Sequence, residues 1–124
     1  MTVAFWAILA AAFLPIVCAG LAKGGGRGFD NAAPRDWLDA QTGWRRRADW
    51  AQRNHYEVFP PFVAAVLVAT ITGAPQRATD MLAIAWVLLR IAYTAAYVRG
   101  RPALRSVLWT LAFACIVGLF AIAA

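Results

Sequence analysis

The sequence has few charged residues for its length, and few of those are acidic. Charged residues make up 15% of the 124 residues, with 12 Lys and Arg against 6 Asp and Glu. Soluble domains average about 25% charged residues. A single domain of this length could not hide a chain that is 62% hydrophobic from water. The composition therefore excludes an ordinary soluble domain and predicts a membrane protein.

Metal-binding and redox motifs are also lacking. Cys18 and Cys115 both lie in apolar runs, without a C-x-x-C pair or a nearby histidine. A disulfide or a metal site therefore has little support, and packing is the expected role of both side chains. His55 is the only histidine, and we interpret it as a packed or hydrogen-bonded residue rather than a catalytic base.

Nucleotide and nucleic-acid binding find no support either. The glycines between Lys23 and Thr42 are not followed by the Gly-Lys-Ser/Thr ending of a phosphate-binding loop, so this stretch is predicted to be a flexible loop. The formal net charge is +6, but the cations cluster between apolar runs rather than on a soluble face. We therefore expect no nucleic-acid partner.

What the sequence does contain is four apolar runs. A bilayer core of about 30 Å needs roughly 20 residues of helix. The first run starts without Lys or Arg and is long for a signal peptide, so it is predicted to be a retained helix, kinked at Pro15. A second kink is expected at Pro60 and Pro61. The predicted fold is an all-α integral membrane four-helix bundle, with helices at about residues 3–22, 44–74, 77–97 and 103–123.

The basic residues predict the orientation in the membrane. They concentrate in the first loop, at the base of the second helix and in the third loop, whereas the opposite side carries only Arg77. Because cytoplasmic loops are enriched in Lys and Arg, we expect these loops to be cytoplasmic and both termini to lie on the other side.

Polar residues recur along one face of the second helix and one face of the third. They are Arg47, Asn54 and Glu57 on the second helix and Arg90, Tyr93 and Tyr97 on the third. Polar side chains within membrane helices usually face a bundle interior or a cavity. Since the two helices are antiparallel neighbours, we expect Glu57 and Arg90 to form an ion pair. The pair either locks the two helices together, which is favoured, or takes part directly in the chemistry.

The residues nearer the cytoplasm predict a ligand site. They are Gln52, Arg53, Asn54, Tyr93, Tyr97 and Arg105. Guanidinium groups match carboxylates, so this set fits an anionic, peptide-like ligand. The alternative is that the arginines only extend to the interface and set the topology; it is favoured for Arg45, Arg46, Arg99 and Arg101 and stays open for Arg53 and Arg105. Ser106 either polarises a thiol or makes ordinary helix-end hydrogen bonds.

The stretch from Arg47 to Pro60 resembles the motif of the MAPEG family, the membrane-associated proteins in eicosanoid and glutathione metabolism. The shared pattern is Arg, Ala four residues later, Asn seven later, Glu ten later and Pro thirteen later. The spacing of Arg90, Tyr93 and Tyr97, and the Arg105-Ser106 pair that opens the fourth helix, also resemble family members. The resemblance covers essentially the whole chain.

The resemblance implies a homotrimer that binds glutathione between subunits near the cytoplasmic side. Arg105 or Ser106 would stabilise the glutathione thiolate, which is the nucleophile. The electrophile would be a lipophilic small molecule that enters from the membrane lipids. Glutathione would be bound by Arg47, Gln52, Arg53, Asn54, Glu57, Arg90, Tyr93 and Tyr97. The glycine-rich loop and the string from Asn54 to Glu57 resemble bacterial members, which implies the inner membrane of a bacterium.

One position departs from the family pattern. Trp50 stands where eicosanoid-type members usually have arginine, which removes a contact to a glutathione carboxylate unless Arg53 or Arg47 replaces it. The leading hypothesis is a glutathione-dependent transferase or peroxidase, without an eicosanoid substrate. The alternative is a non-catalytic lipid-binding or scaffold protein of the same fold. A small transporter subunit is disfavoured because the chain has few buried charges and no broken half-helices.

Overall fold

Four long helices and one short helix make up the protein. The structure, a computed structural model, describes every residue from Met1 to Ala124. The helices are α1 (Val3–Lys23), α2 (Pro34–Asp39), α3 (Gly43–Ile71), α4 (Gln76–Val98) and α5 (Pro102–Ala123). Three of them, α1, α4 and α5, are long and apolar enough to cross a membrane. The first half of α3 is polar, so only its second half has the apolar character of a membrane segment.

The largest difference from the predicted helices is the end of α3. The sequence predicted a helix to Ala74, but α3 ends at Ile71 because Gly73 adopts a φ of 76°. The amide of Gly73 donates to the carbonyl of Thr70, and that of Ala74 donates to the carbonyl of Ala69. This is the Schellman pattern that ends many helices. The other ends of the long helices lie within one residue of the predicted ones.

The first loop is also more ordered than predicted. It contains α2, which begins at Pro34, a residue favoured at the first helical position because it has no amide hydrogen to leave unbonded. Pro15 lies within α1, and Pro60 and Pro61 lie within α3. None of the three prolines therefore ends its helix.

A face of small residues joins α1 to α3. Buried residues without long side chains recur every three or four positions along α1, at Ala4, Ala7, Ala11, Pro15, Cys18 and Ala22. On α3 the buried alanines are Ala48, Ala51, Ala65 and Ala69. Small residues let helix backbones approach closely. Such close approach strengthens van der Waals packing, which matters in a membrane because the hydrophobic effect does not drive helices together in lipid. The α1–α3 interface therefore depends on side chains that are small rather than large.

A stacked aromatic pair fixes α3 against α4. Phe62 and Trp86 are buried, and their rings lie 3.9 Å apart at an angle of 4°. One turn further along α4 is Arg90, whose guanidinium carbon lies 5.9 Å from the Trp86 ring. The stack thus supports the polar end of the α3–α4 interface.

Replacing Ala11 by leucine should destabilise the bundle. Ala11 is 2% exposed, so the larger side chain must push α1 away from its neighbours, at a cost of about 1–3 kcal/mol. Ala10→Leu is the matched control because the adjacent Ala10 is exposed. Unfolding in mixed detergent micelles would measure both variants. Equal loss of stability in the two would contradict the close packing of α1.

Candidate functional site

A crevice opens beside two tyrosines at the polar end of the bundle. Two cavities, of about 370 Å³ and about 330 Å³, share Asn54, Tyr93 and Tyr97 in their walls. Each lies within the range of about 300–1,000 Å³ that is common for small-molecule sites. We call the pair the tyrosine crevice. Its remaining lining residues are Trp50, Arg53, Glu57, Arg105, Ser106, Trp109 and Thr110.

Aromatic rings and one guanidinium form the wall of the crevice. Tyr93 and Tyr97 contact edge to face, with ring centres 5.5 Å apart. The ring centre of Trp50 lies 6.5 Å from the ring centre of Tyr97. The first turns of α5 bring the Arg105 guanidinium carbon to 4.6 Å above the Tyr97 ring, within the range of a cation–π interaction. Arg105 therefore lies against the crevice and does not simply extend to the membrane interface.

A buried cation lies behind Tyr93. Arg90 is 1% exposed, and its guanidinium carbon is 4.0 Å from the centre of the Tyr93 ring. Its Nη2 donates to Asn54 Oδ1 over 2.9 Å, and its Nε donates to His55 Nδ1 over 3.4 Å. These acceptors are neutral, so the positive charge of Arg90 has no direct counter-ion.

The predicted ion pair between Glu57 and Arg90 is wrong. Asn54 stands between them: its Oδ1 accepts from Arg90, while its Nδ2 donates to Glu57 Oε2 over 3.0 Å. Asn54 and Glu57 are three residues apart on α3, which is the spacing of neighbouring side chains on a helix. The amide thus reaches both groups, and the exposed Glu57 carboxylate stays at the crevice.

Arg53 is matched by carboxylates of its own chain. It forms ion pairs with Asp39 over 2.7 Å and with Asp49 over 2.9 Å. Asp39 also pairs with Arg46, so this cluster joins the end of α2 to α3. The Asp49 side chain is only 4% exposed. Arg53 therefore stabilises a buried carboxylate as well as lining the crevice.

Besides the buried Arg90, two of the predicted ligand residues do not line the tyrosine crevice. Arg47 donates from Nε to the carbonyl of Val98 over 3.0 Å and lines a small cleft at the turn before α5. Gln52 lines a separate cavity of about 470 Å³ between α3 and the first loop. Residues two apart in a helix are separated by about 200° around its axis, so Gln52 and Asn54 lie on nearly opposite faces of α3. The two sides of α3 therefore serve different cavities.

The comparison with protein families decides the identity. The chain matches the model of the MAPEG family over residues 3–124. The protein belongs to the MAPEG family. A search of curated proteins finds no match. As a MAPEG member, the protein is an all-α integral membrane helical bundle of the family that serves glutathione and eicosanoid metabolism.

Several residues in and around the tyrosine crevice were not predicted from the sequence. Trp109 and Thr110 line it from α5, where Thr110 Oγ1 donates to the carbonyl of Ser106 over 2.9 Å. Thr110 is four residues after Ser106, a spacing that places both on one helical face. That spacing could have identified Thr110, but the apolar residues around it are typical of a lipid-facing helix. Thr94, hydrogen-bonded to His55 over 2.8 Å, is four residues after Arg90, so the same spacing was available for it.

Replacing Arg53 by alanine should destabilise the protein, because the buried Asp49 carboxylate loses its cationic partner. Asp49 Oδ2 makes no hydrogen bond and Arg53 is half-exposed, so the loss of this charge partner should cost about 1 kcal/mol. Unfolding in detergent micelles would measure the loss. Arg35→Ala is the control, since Arg35 is exposed and forms no ion pair.

Adding Asp49→Asn to Arg53→Ala should recover part of the lost stability, because the amide carries no charge to desolvate. Equal stability of Arg53→Ala and Arg35→Ala would contradict this role of Arg53.

Proposed function

We propose that the protein is a glutathione-dependent transferase or peroxidase that acts on lipophilic electrophiles. The observation that carries the proposal is the tyrosine crevice. A buried cation without a counter-ion lies behind one wall, and a second cation, Arg105, lies above the other. Membership of the MAPEG family supports glutathione as the cosubstrate.

The charges of the crevice complement those of glutathione. The tripeptide has two carboxylates, one ammonium group, two peptide bonds and a thiol. The exposed Glu57 carboxylate suits the ammonium group, and guanidinium groups suit the carboxylates. Tyr93, Tyr97 and Asn54 offer hydroxyl and amide groups to the peptide bonds. In this arrangement the thiol points toward the beginning of α5.

Arg105 and Ser106 would generate the nucleophile. A cation and a hydroxyl donor beside sulfur favour the thiolate over the thiol. In conjugation the thiolate forms a bond to the electrophilic carbon, and the leaving group departs with the bonding electrons. In peroxide reduction the thiolate attacks one peroxide oxygen, the O–O bond breaks, and the departing alkoxide takes a proton from water to become an alcohol. A second glutathione then reacts with the glutathione sulfenic acid to give the disulfide and water. The exposed Trp109 and Thr110 border the same cavity on the outer side of α5, where a lipid-dissolved substrate would arrive.

A homotrimer would complete the site in this proposal. The resemblance to the family implies glutathione between subunits, and Gln52 faces away from the crevice of its own chain. It would then contribute to the site of a neighbouring subunit. We further propose that the basic end of the bundle is cytoplasmic, with both termini on the other side of a bacterial inner membrane, because Lys and Arg concentrate at that end.

A second candidate function is lipid binding without catalysis. Trp50 favours it, because an apolar ring lines the crevice where eicosanoid-type members have a guanidinium. The occupant would be a lipid acyl chain. Lipid that copurifies in the crevice, together with no glutathione binding, would support this function over the transferase.

Arg105→Ala should weaken glutathione binding and remove the bound thiolate. A hydrogen bond to a charged group is worth about 1.5–3 kcal/mol, so the affinity should fall about tenfold or more. Calorimetry would measure affinity, and ultraviolet absorbance during a pH titration would measure the thiolate. Arg99→Ala is the control, because Arg99 is exposed at the same end of the bundle and outside the crevice. Thiolate formation that survives Arg105→Ala in the folded protein would rule out this role.

Trp50→Arg should strengthen glutathione binding, by about tenfold if one charge-assisted hydrogen bond is gained. The new guanidinium would lie at the crevice beside Tyr97. Trp44→Arg is the matched control, since it adds the same charge to an exposed position of α3 outside the crevice. Equal affinities of the two variants in calorimetry would contradict a carboxylate subsite at residue 50.

A further inference from the structure

His55 is a buried polar residue to which the proposed reaction gives no role. It is 1% exposed and lies on α3 next to Asn54, on the interior side of the crevice. Its Nδ1 lies 3.4 Å from Arg90 Nε and 3.1 Å from Arg90 Nη2. Its Nε2 lies 2.8 Å from Thr94 Oγ1. Both ring nitrogens therefore have partners inside the bundle.

These partners determine where the ring carries its proton. A guanidinium group has only donors, so the Nδ1 that faces Arg90 must be the unprotonated acceptor. Nε2 then carries the hydrogen and donates it to Thr94 Oγ1. The Thr94 hydroxyl in turn donates to the carbonyl of Arg90 over 3.1 Å. The geometry requires neutral His55 in a single tautomer.

The same guanidinium determines the orientation of Asn54. Arg90 Nη2 donates to the side-chain oxygen of Asn54, which turns the amide nitrogen toward Glu57. A continuous hydrogen-bonded chain thus runs through Thr94, His55, Arg90, Asn54 and Glu57. Its first members are inside the bundle, and its last member is the exposed carboxylate at the crevice.

Without an acceptor at Nδ1, the buried charge of Arg90 would need another partner. The Glu57 carboxylate is the nearest anion in the chain, separated from Arg90 only by Asn54. A direct ion pair would draw Glu57 away from the crevice, because a buried cation without partners is strongly disfavoured. His55 Nδ1 satisfies the Nε–Nη2 edge of the guanidinium beside Asn54, while Nη1 makes no hydrogen bond, and this neutral acceptor lets Asn54 stay between Arg90 and Glu57.

We propose that His55 is a positioning residue: its Nδ1 holds the Arg90 guanidinium so that Asn54 and Glu57 present their polar groups to the ligand. The identity of that ligand as glutathione rests on the proposed function, whereas the hydrogen-bonded chain itself does not. His55 contacts neither substrate in this scheme and acts only through Arg90.

Three substitutions separate this role from simple packing. In His55→Asn, the side-chain oxygen takes the place of Nδ1 and keeps the acceptor for Arg90. In His55→Gln, the polar end takes the place of Nε2, which keeps a partner for Thr94 and loses the acceptor for Arg90. His55→Leu removes both. The Asn and Gln variants form the decisive comparison if the leucine variant fails to fold.

The first readout is glutathione affinity by calorimetry. The expected result is near wild-type affinity for His55→Asn and an affinity about tenfold weaker for His55→Gln, as for one lost charge-assisted contact. Thermal unfolding of the same samples shows whether any difference reflects folding. Equal affinities for the two folded variants would overturn the proposal.

The second readout needs no ligand. His55 is the only histidine, so protein labelled with ¹⁵N-histidine gives one pair of ring signals, and the expected tautomer has its hydrogen on Nε2. The Asn54 side-chain amide signals should keep their shifts in His55→Asn and move in His55→Gln. The opposite tautomer, or equal Asn54 signals in both variants, would overturn the proposal. If the wild-type protein binds no glutathione, the proposed function fails and these signals still decide the role of His55.

Discussion

The arrangement of the site depends on one buried charge, the guanidinium of Arg90. A cation inside a membrane bundle costs several kcal/mol unless the protein supplies partners. Here the partners are two neutral acceptors and the face of an aromatic ring rather than a carboxylate. Asn54 turns toward the guanidinium for this reason, and Glu57 is left at the surface of the crevice. A direct ion pair would have neutralised Arg90 and removed the anionic group from the site.

Packing of the helices also holds this charge in place. The Phe62–Trp86 stack fixes α3 against α4 one turn from Arg90. The small-residue face of α1 lets that helix approach α3 closely. At the other wall, Gly100 ends α4 with a φ of 69°, and the next turn begins α5. That tight connection brings Arg105 back over Tyr97, so the crevice has a cation on each side.

Sequence patterns predicted the membrane bundle and much of the polar face, because apolar run length and helical spacing depend only on the order of the residues along the chain. The pattern shared with the MAPEG family led to the same assignment as the match of the whole chain. The Glu57–Arg90 pair was wrong because two side chains at compatible depth need not meet, and the amide of Asn54 was closer to both. Gln52 and Trp109 show a related limit, since only the rotation of each helix decides which cavity a residue faces.

The proposed function requires that the tyrosine crevice bind glutathione. The most direct test is an experimental structure of the protein in a lipid nanodisc at saturating glutathione. We expect tripeptide density against Tyr93 and Tyr97, with its amino end near Glu57 and its sulfur beside Arg105 and Ser106. An acyl chain in the crevice, or a crevice left empty under those conditions, would contradict it.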